Sequence, residues 1–137
     1  MVQPEGKRGV ASARLVTVTL APAWEPAEHV EERGRIEFAA VLDPQGHPDT
    51  QAWLEDPEPW PARRIRAGSA TQDGDVAHDE EGWQLRFFAS GGSDPDVPVH
   101  RICHIDGGLR PGEVLTLQAP NGEEAAWRVV GVSAREA

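Results

Sequence analysis

The chain has 137 residues, enough for one domain with a single sizeable core, and 39% of them are hydrophobic, so it is not a disordered polymer. Twenty-three acids against 13 bases leave a formal charge of −10, which disfavours nucleic acid and anionic membrane surfaces as partners. A single cysteine, Cys103, rules out an intramolecular disulfide, and no apolar run approaches the ~20 residues of a membrane-spanning helix.

The first dozen residues, 1–12, carry no periodicity and are expected to be a flexible segment preceding one β domain over 13–137. Lys7, Arg8 and Arg14 followed by "LVTVTLAPA" superficially imitate a secretory leader. The apolar part is short and interrupted by Thr17 and Thr19, however, and this alternation is that of a half-buried strand. A cytoplasmic location is therefore expected. Lys7 is the only lysine, and the abundance of arginine, alanine, glycine and proline is the bacterial-like composition of a GC-rich genome.

"ARLVTVTL" (13–20) places Val16, Val18 and Leu20 on one face of the first strand. "APAWEPAEHVEERG" (21–34) can hold one short helix near 26–33, with Pro26 in its first turn and Gly34 past its end. "RIEFAAVL" (35–42) alternates again, and "DPQGHPD" (43–49) is turn chemistry. Three prolines, at 57, 59 and 61, exclude helix and central strand, leaving edge strands around Trp53 and Ile65. The acidic stretch 69–82 has no apolar stripe and reads as a mobile loop. "WQLRFFAS" (83–90) is a strand with Trp83, Leu85 and Phe87 on one face. The end is a hairpin: "EVLTLQ" and "EAAWRVVGVS" flank an Asn121-Gly122 turn. The expected fold class is mainly β, a single small antiparallel β-barrel or β-sandwich with at most one short helix.

The segment "VPVHRICHIDGG" (97–108) holds the residues most able to carry chemistry. On a helix, His100, Cys103 and His104 would share a face and make a zinc or copper corner. Its β-branched residues and short span favour a strand. There Cys103 points away from both histidines, which stand roughly 13 Å apart, too far to share an ion bonded at about 2 Å. Cys103 then reads as a small buried apolar residue, and no metal site is expected.

Other acidic patterns fail as calcium sites. "DGDVAHDEEGWQ" (73–84) opens like an EF-hand, but Ala77, His78 and Gln84 occupy positions that need an oxygen ligand, a glycine and a glutamate. "GGSDPDVPV" (91–99) is a single imperfect copy of a β-helix repeat. Glu25, His29 and Glu32 could share one helical face, which reads as a solvated surface.

No phosphate-loop, dinucleotide, nucleophile-elbow or zinc-protease motif occurs. The leading expectation is a non-enzymatic binding or structural domain acting through protein–protein contacts, without cofactor and with a partner the residues do not identify. Trp53, Trp60, His100 and His104 are the candidate contact residues, the two tryptophans flanking the proline-rich loop. The alternative is a small metal- or cysteine-dependent enzyme using His100, Cys103 and His104, and a carrier using the mouth of a barrel is a third class.

Overall fold

The structure is a computed structural model and describes residues 15–23, 34–66, 68, 70–88, 99–103, 105 and 107–135. Eight strands follow one another: β1 (Val16–Pro22), β2 (Arg35–Ala40), β3 (Trp60–Ile65), β4 (Gln72–Asp79), β5 (Gly82–Phe87), β6 (Val99–Cys103), β7 (Val114–Gln118) and β8 (Glu124–Ala134). One helical turn, α1 (Thr50–Glu55), lies between β2 and β3. Each strand pairs antiparallel with the next and β8 returns to pair with β1, so the sheet is a closed barrel and not a sandwich.

Closure follows from the period-two pattern. Val18, Leu20, Ile36, Phe38, Leu85, Leu115 and Leu117 all point inward and are almost completely buried, and in a barrel of eight strands such side chains fill the interior. Register is set by pairs such as Val18↔Phe38, Leu20↔Ile36 and Leu115↔Trp127. A slip of one residue would turn these faces outward.

One irregularity keeps β8 in phase with the core. Along β1 the partner steps from Gly131, opposite Thr19, to Val129, opposite Leu20, leaving Val130 as the extra residue of a bulge. Trp127 and Val129 can therefore face inward while Val132, opposite Val18, also packs on the core. Val130 is one of two large apolar residues that the described surface exposes.

The middle of the chain departs from the sequence expectations. Residues 72–79 of the supposed mobile loop form β4, hydrogen-bonded on both sides. This strand needs no apolar stripe because ladder pairing and polar satisfaction replace it. Val76 supplies the inward apolar side chain. Outward-facing Asp75 accepts two 2.7 Å hydrogen bonds from Arg86, through Nε and Nη2. Gly74 lies where a Cβ would collide with the backbone carbonyl of Arg86, so only glycine lets β4 and β5 approach there.

The proline-rich segment also differs from expectation. Trp53 is in α1, not an edge strand: the Asp49 side chain caps the turn by accepting from the Ala52 amide at 3.1 Å. β3 starts at Trp60 and is a central strand; Pro61 is tolerated because pairing with β2 begins only at Ala62, opposite Phe38. Trp60, expected as a surface anchor, is completely buried. It stacks on Trp83, with Trp53 edge-on to Trp83 at 6.0 Å and His78 4.5 Å from the same ring. The Trp53 indole N–H donates to the Val76 carbonyl at 3.1 Å and that of Trp60 to the Asp56 carboxylate at 3.0 Å. This aromatic cluster seals one end of the barrel, where Leu109 is also buried against the 43–48 turn. The helix expected near 26–33 and the flexible segment 1–12 lie outside the described residues.

Candidate functional site

At the opposite end, where β1, β3, β5 and β7 finish, the described side chains leave the core unfilled. A cavity of about 380 Å³ remains, walled by Pro22, Leu117, Ala125 and Trp127 and carrying Arg64 and His100 as its inward polar side chains.

Strand parity puts these two residues there. Trp60, Ala62 and Arg64 alternate along one face of β3, and Arg64 pairs with the inward-facing Ile36. The first two are buried in the core, so the third arrives at the rim on the inner side. His100 and Ile102 likewise share the inner face of β6, His100 opposite buried Leu85. At the position where the core meets the opening, each strand thus presents a polar head on an apolar column.

The geometry is specific. The Arg64 guanidinium carbon lies 5.9 Å from the centroid of the Trp127 ring, within cation–π range. The His100 ring meets Phe87 edge-on at 5.6 Å. Its Nδ1 is buried and has no hydrogen-bond partner among the described residues. Burial, and secondarily the charge of Arg64, hold the His100 imidazole below its ordinary pKa of 6.5. At neutral pH the imidazole of His100 is therefore held neutral, beside the Arg64 guanidinium. Glu123 and Glu124 stand exposed on the outer lip.

Among the described residues, no arrangement for nucleophilic or metal chemistry assembles around the cavity. Cys103 lies on the outer face of β6, opposite to His100, and is only half-buried; its thiol donates to the Arg101 carbonyl at 3.9 Å. The expectation of a small buried apolar Cys103 is corrected accordingly: β6 leaves its outer face partly open. His104 lies outside the described residues. Among the described residues no group of three histidine, cysteine or carboxylate side chains could hold a metal ion. No described helix is long and apolar enough to cross a membrane.

Of the four candidate contact residues, then, His100 lines the mouth, Trp53 and Trp60 belong to the sealed end, and His104 is not described. Sequence reasoning missed Arg64 and Trp127 as site residues. The basic run "RRIR" looks like one surface cluster, but strand alternation splits it: Arg63 faces out between Glu37 and Asp73 while Arg64 turns in. The signal was available in the spacing Trp60, Ala62, Arg64, once those residues are placed on one strand.

The described residues define a closed, eight-stranded antiparallel barrel with an aromatic cluster at one end and a cavity at the other. Compared with family models, curated proteins and solved structures, the chain matches none.

Proposed function

We propose that the protein is a non-enzymatic binding domain and that the open mouth of the barrel is where it binds. The observation that carries this reading is the cavity of about 380 Å³, lined by the Arg64 guanidinium over the Trp127 ring and by the His100 imidazole, whose buried Nδ1 has no hydrogen-bond partner among the described residues. Binding pockets are characteristically apolar clefts with a few convergent polar groups. Covalent catalysis would ask for a nucleophile with an adjacent base, and metal-assisted catalysis for a set of ligands. The reading includes a cytoplasmic setting, supported by a fold whose only cysteine is a free thiol. It includes no nucleic-acid partner, supported by the charge of −10.

A second reading, contact with a protein partner, has its own support. Leu54 on α1 is 64% exposed beside Pro57 and Pro59, leaving an apolar side chain within a polar rim.

Titrating a small-fragment mixture into isotope-labelled protein distinguishes the two readings. Amide and side-chain shifts concentrated at Arg64, His100, Ala125 and Trp127 are expected. Shifts confined to 53–59, or none at any of the mouth residues, would overturn the mouth as the binding site.

A further inference from the structure

We infer that the groove beside α1 docks a basic segment of a partner protein, with an apolar side chain against Trp53 and Leu54 and an arginine or lysine against Asp56 and Glu58. This rests on the second reading above, contact through the face around Leu54, and adds the kind of segment that fits.

The groove holds about 360 Å³ between the turn at 53–59 and the outer face of β4 and β5, and it shares no lining residue with the cavity of the mouth. Its apolar part is Leu54, 64% exposed, with Trp53, Pro57 and Pro59 beside it. Such a patch within a polar rim has the make-up of a contact core. The wall is formed before anything binds. The Trp53 indole is tied to the Val76 carbonyl at 3.1 Å, and the prolines fix their own φ angles. The Asp56 carboxylate is held from both sides, accepting from the Glu58 amide and from the Trp60 indole at 3.0 Å each. A wall with little freedom left to lose binds at low entropic cost.

Charge selects the partner. Asp75 and Arg86, in the floor of the groove, neutralise each other through their paired hydrogen bonds. Asp56 and Glu58 face no cation within ion-pair distance among the described residues. Each Asp56 oxygen keeps a lone pair for a further bond. The same lip has no main-chain donor to offer: Pro57 and Pro59 lack an N–H, and that of Glu58 is engaged by Asp56. The rim therefore accepts hydrogen bonds and attracts cations, which sets the sign of the segment it takes. A second copy of this chain is disfavoured, since each carries a net charge of −10.

The test selects from a random heptapeptide library displayed on phage, with the full chain as bait and its Leu54→Ser and Glu58→Lys variants as comparison baits. Both side chains are exposed, so the variants should melt at the temperature of the unaltered protein. Peptides that combine arginine or lysine with a large apolar residue are expected to dominate. Synthesised and titrated singly, they should shift the Trp53 indole N–H signal and leave that of Trp127 in place. Leu54→Ser should weaken them about tenfold, the order of effect of burying one leucine, and Glu58→Lys about fivefold, as an exposed charge pair does. Peptides that lose affinity for Leu54→Ser but are acidic, uncharged or indifferent to Glu58→Lys would overturn the basic segment and leave contact through this face standing. Peptides indifferent to Leu54→Ser, or no enrichment at all, would overturn the inference and the reading beneath it. A dimer in sedimentation equilibrium that Leu54→Ser dissolves would put a second copy in the groove and overturn the foreign partner.

Discussion

The indole of Trp60 lies flat against that of Trp83, centroids 5.8 Å apart and planes within 8° of parallel. Trp60 is fully enclosed, whereas Trp127 borders the open cavity. A void beside Trp127 already exists, but one beneath Trp60 would have to be created. Trp60→Ala should therefore cost roughly 3–5 kcal/mol, and more than Trp127→Ala, reversing the order expected when Trp60 is read as a surface anchor. Midpoints of urea denaturation for the two variants check this; a milder loss for Trp60→Ala would place the core elsewhere.

Gly74→Ala should destabilise the β4–β5 pair by more than about 1 kcal/mol, since the added methyl meets the Arg86 carbonyl. In the unaltered protein, amide protons of residues 72–79 that bond to β3 and β5 should exchange slowly. Fast exchange throughout 72–79 would contradict the ladder and restore the loop.

Arg86→Met removes both donors from Asp75, whose side chain is only 10% exposed, and leaves its carboxylate poorly solvated. Because the Arg86 side chain is itself 41% exposed, the loss should be moderate, about 1–3 kcal/mol. The double variant Asp75→Leu with Arg86→Met should recover part of it, as removing a buried pair together is milder than orphaning one member. Thermal denaturation of the single and double variants measures the difference; a double variant less stable than Arg86→Met would refute the orphaned-charge explanation.

His100 links stability to pH. The folded state holds its imidazole below the ordinary value of 6.5, so the unfolded chain takes up a proton more readily. Its contribution is fully present above pH 6.5 and is lost as pH falls from there through the lower folded value. His100→Gln should flatten this part of the pH profile. Melting temperatures measured from pH 8 to 5 test it, and an unchanged slope in the variant would assign the effect to other groups.

The fold class was legible because it depends on alternation, and alternation is written plainly in 16–20, 35–40, 83–87 and the closing hairpin. Val18, Leu20, Leu85, Leu115 and Trp127 are all inward, as their spacing implies. The failures share a cause: β3 and β4 are held by their neighbours on both sides, so pairing overrides the prolines of one and the missing apolar stripe of the other. Trp60 looks like a surface residue from its flanking prolines, but pairing of β3 with β2 begins only at Ala62, so the missing N–H of Pro61 leaves that ladder intact. Of the site, His100 was singled out for its chemistry. The spacing Trp60, Ala62, Arg64 turns Arg64 inward once β3 is placed, but its meeting with Trp127 joins β3 to β8, and no local pattern encodes a contact across the barrel.

The pairing of Val16 with Ala134 has a consequence for how the chain folds. Hairpins such as β4–β5 and β7–β8 join near neighbours and can form as soon as their residues leave the ribosome. The β1–β8 seam brings together the most distant strands of the sequence, so the entropy of closing that loop falls on the last step. Until β8 is made, β1 and β7 are unpaired edges with Val18, Leu20, Leu115 and Leu117 beside them, the kind of edge that pairs with other chains. A chain ending near residue 123 would keep this state permanently, whereas the complete seam leaves no edge to propagate from.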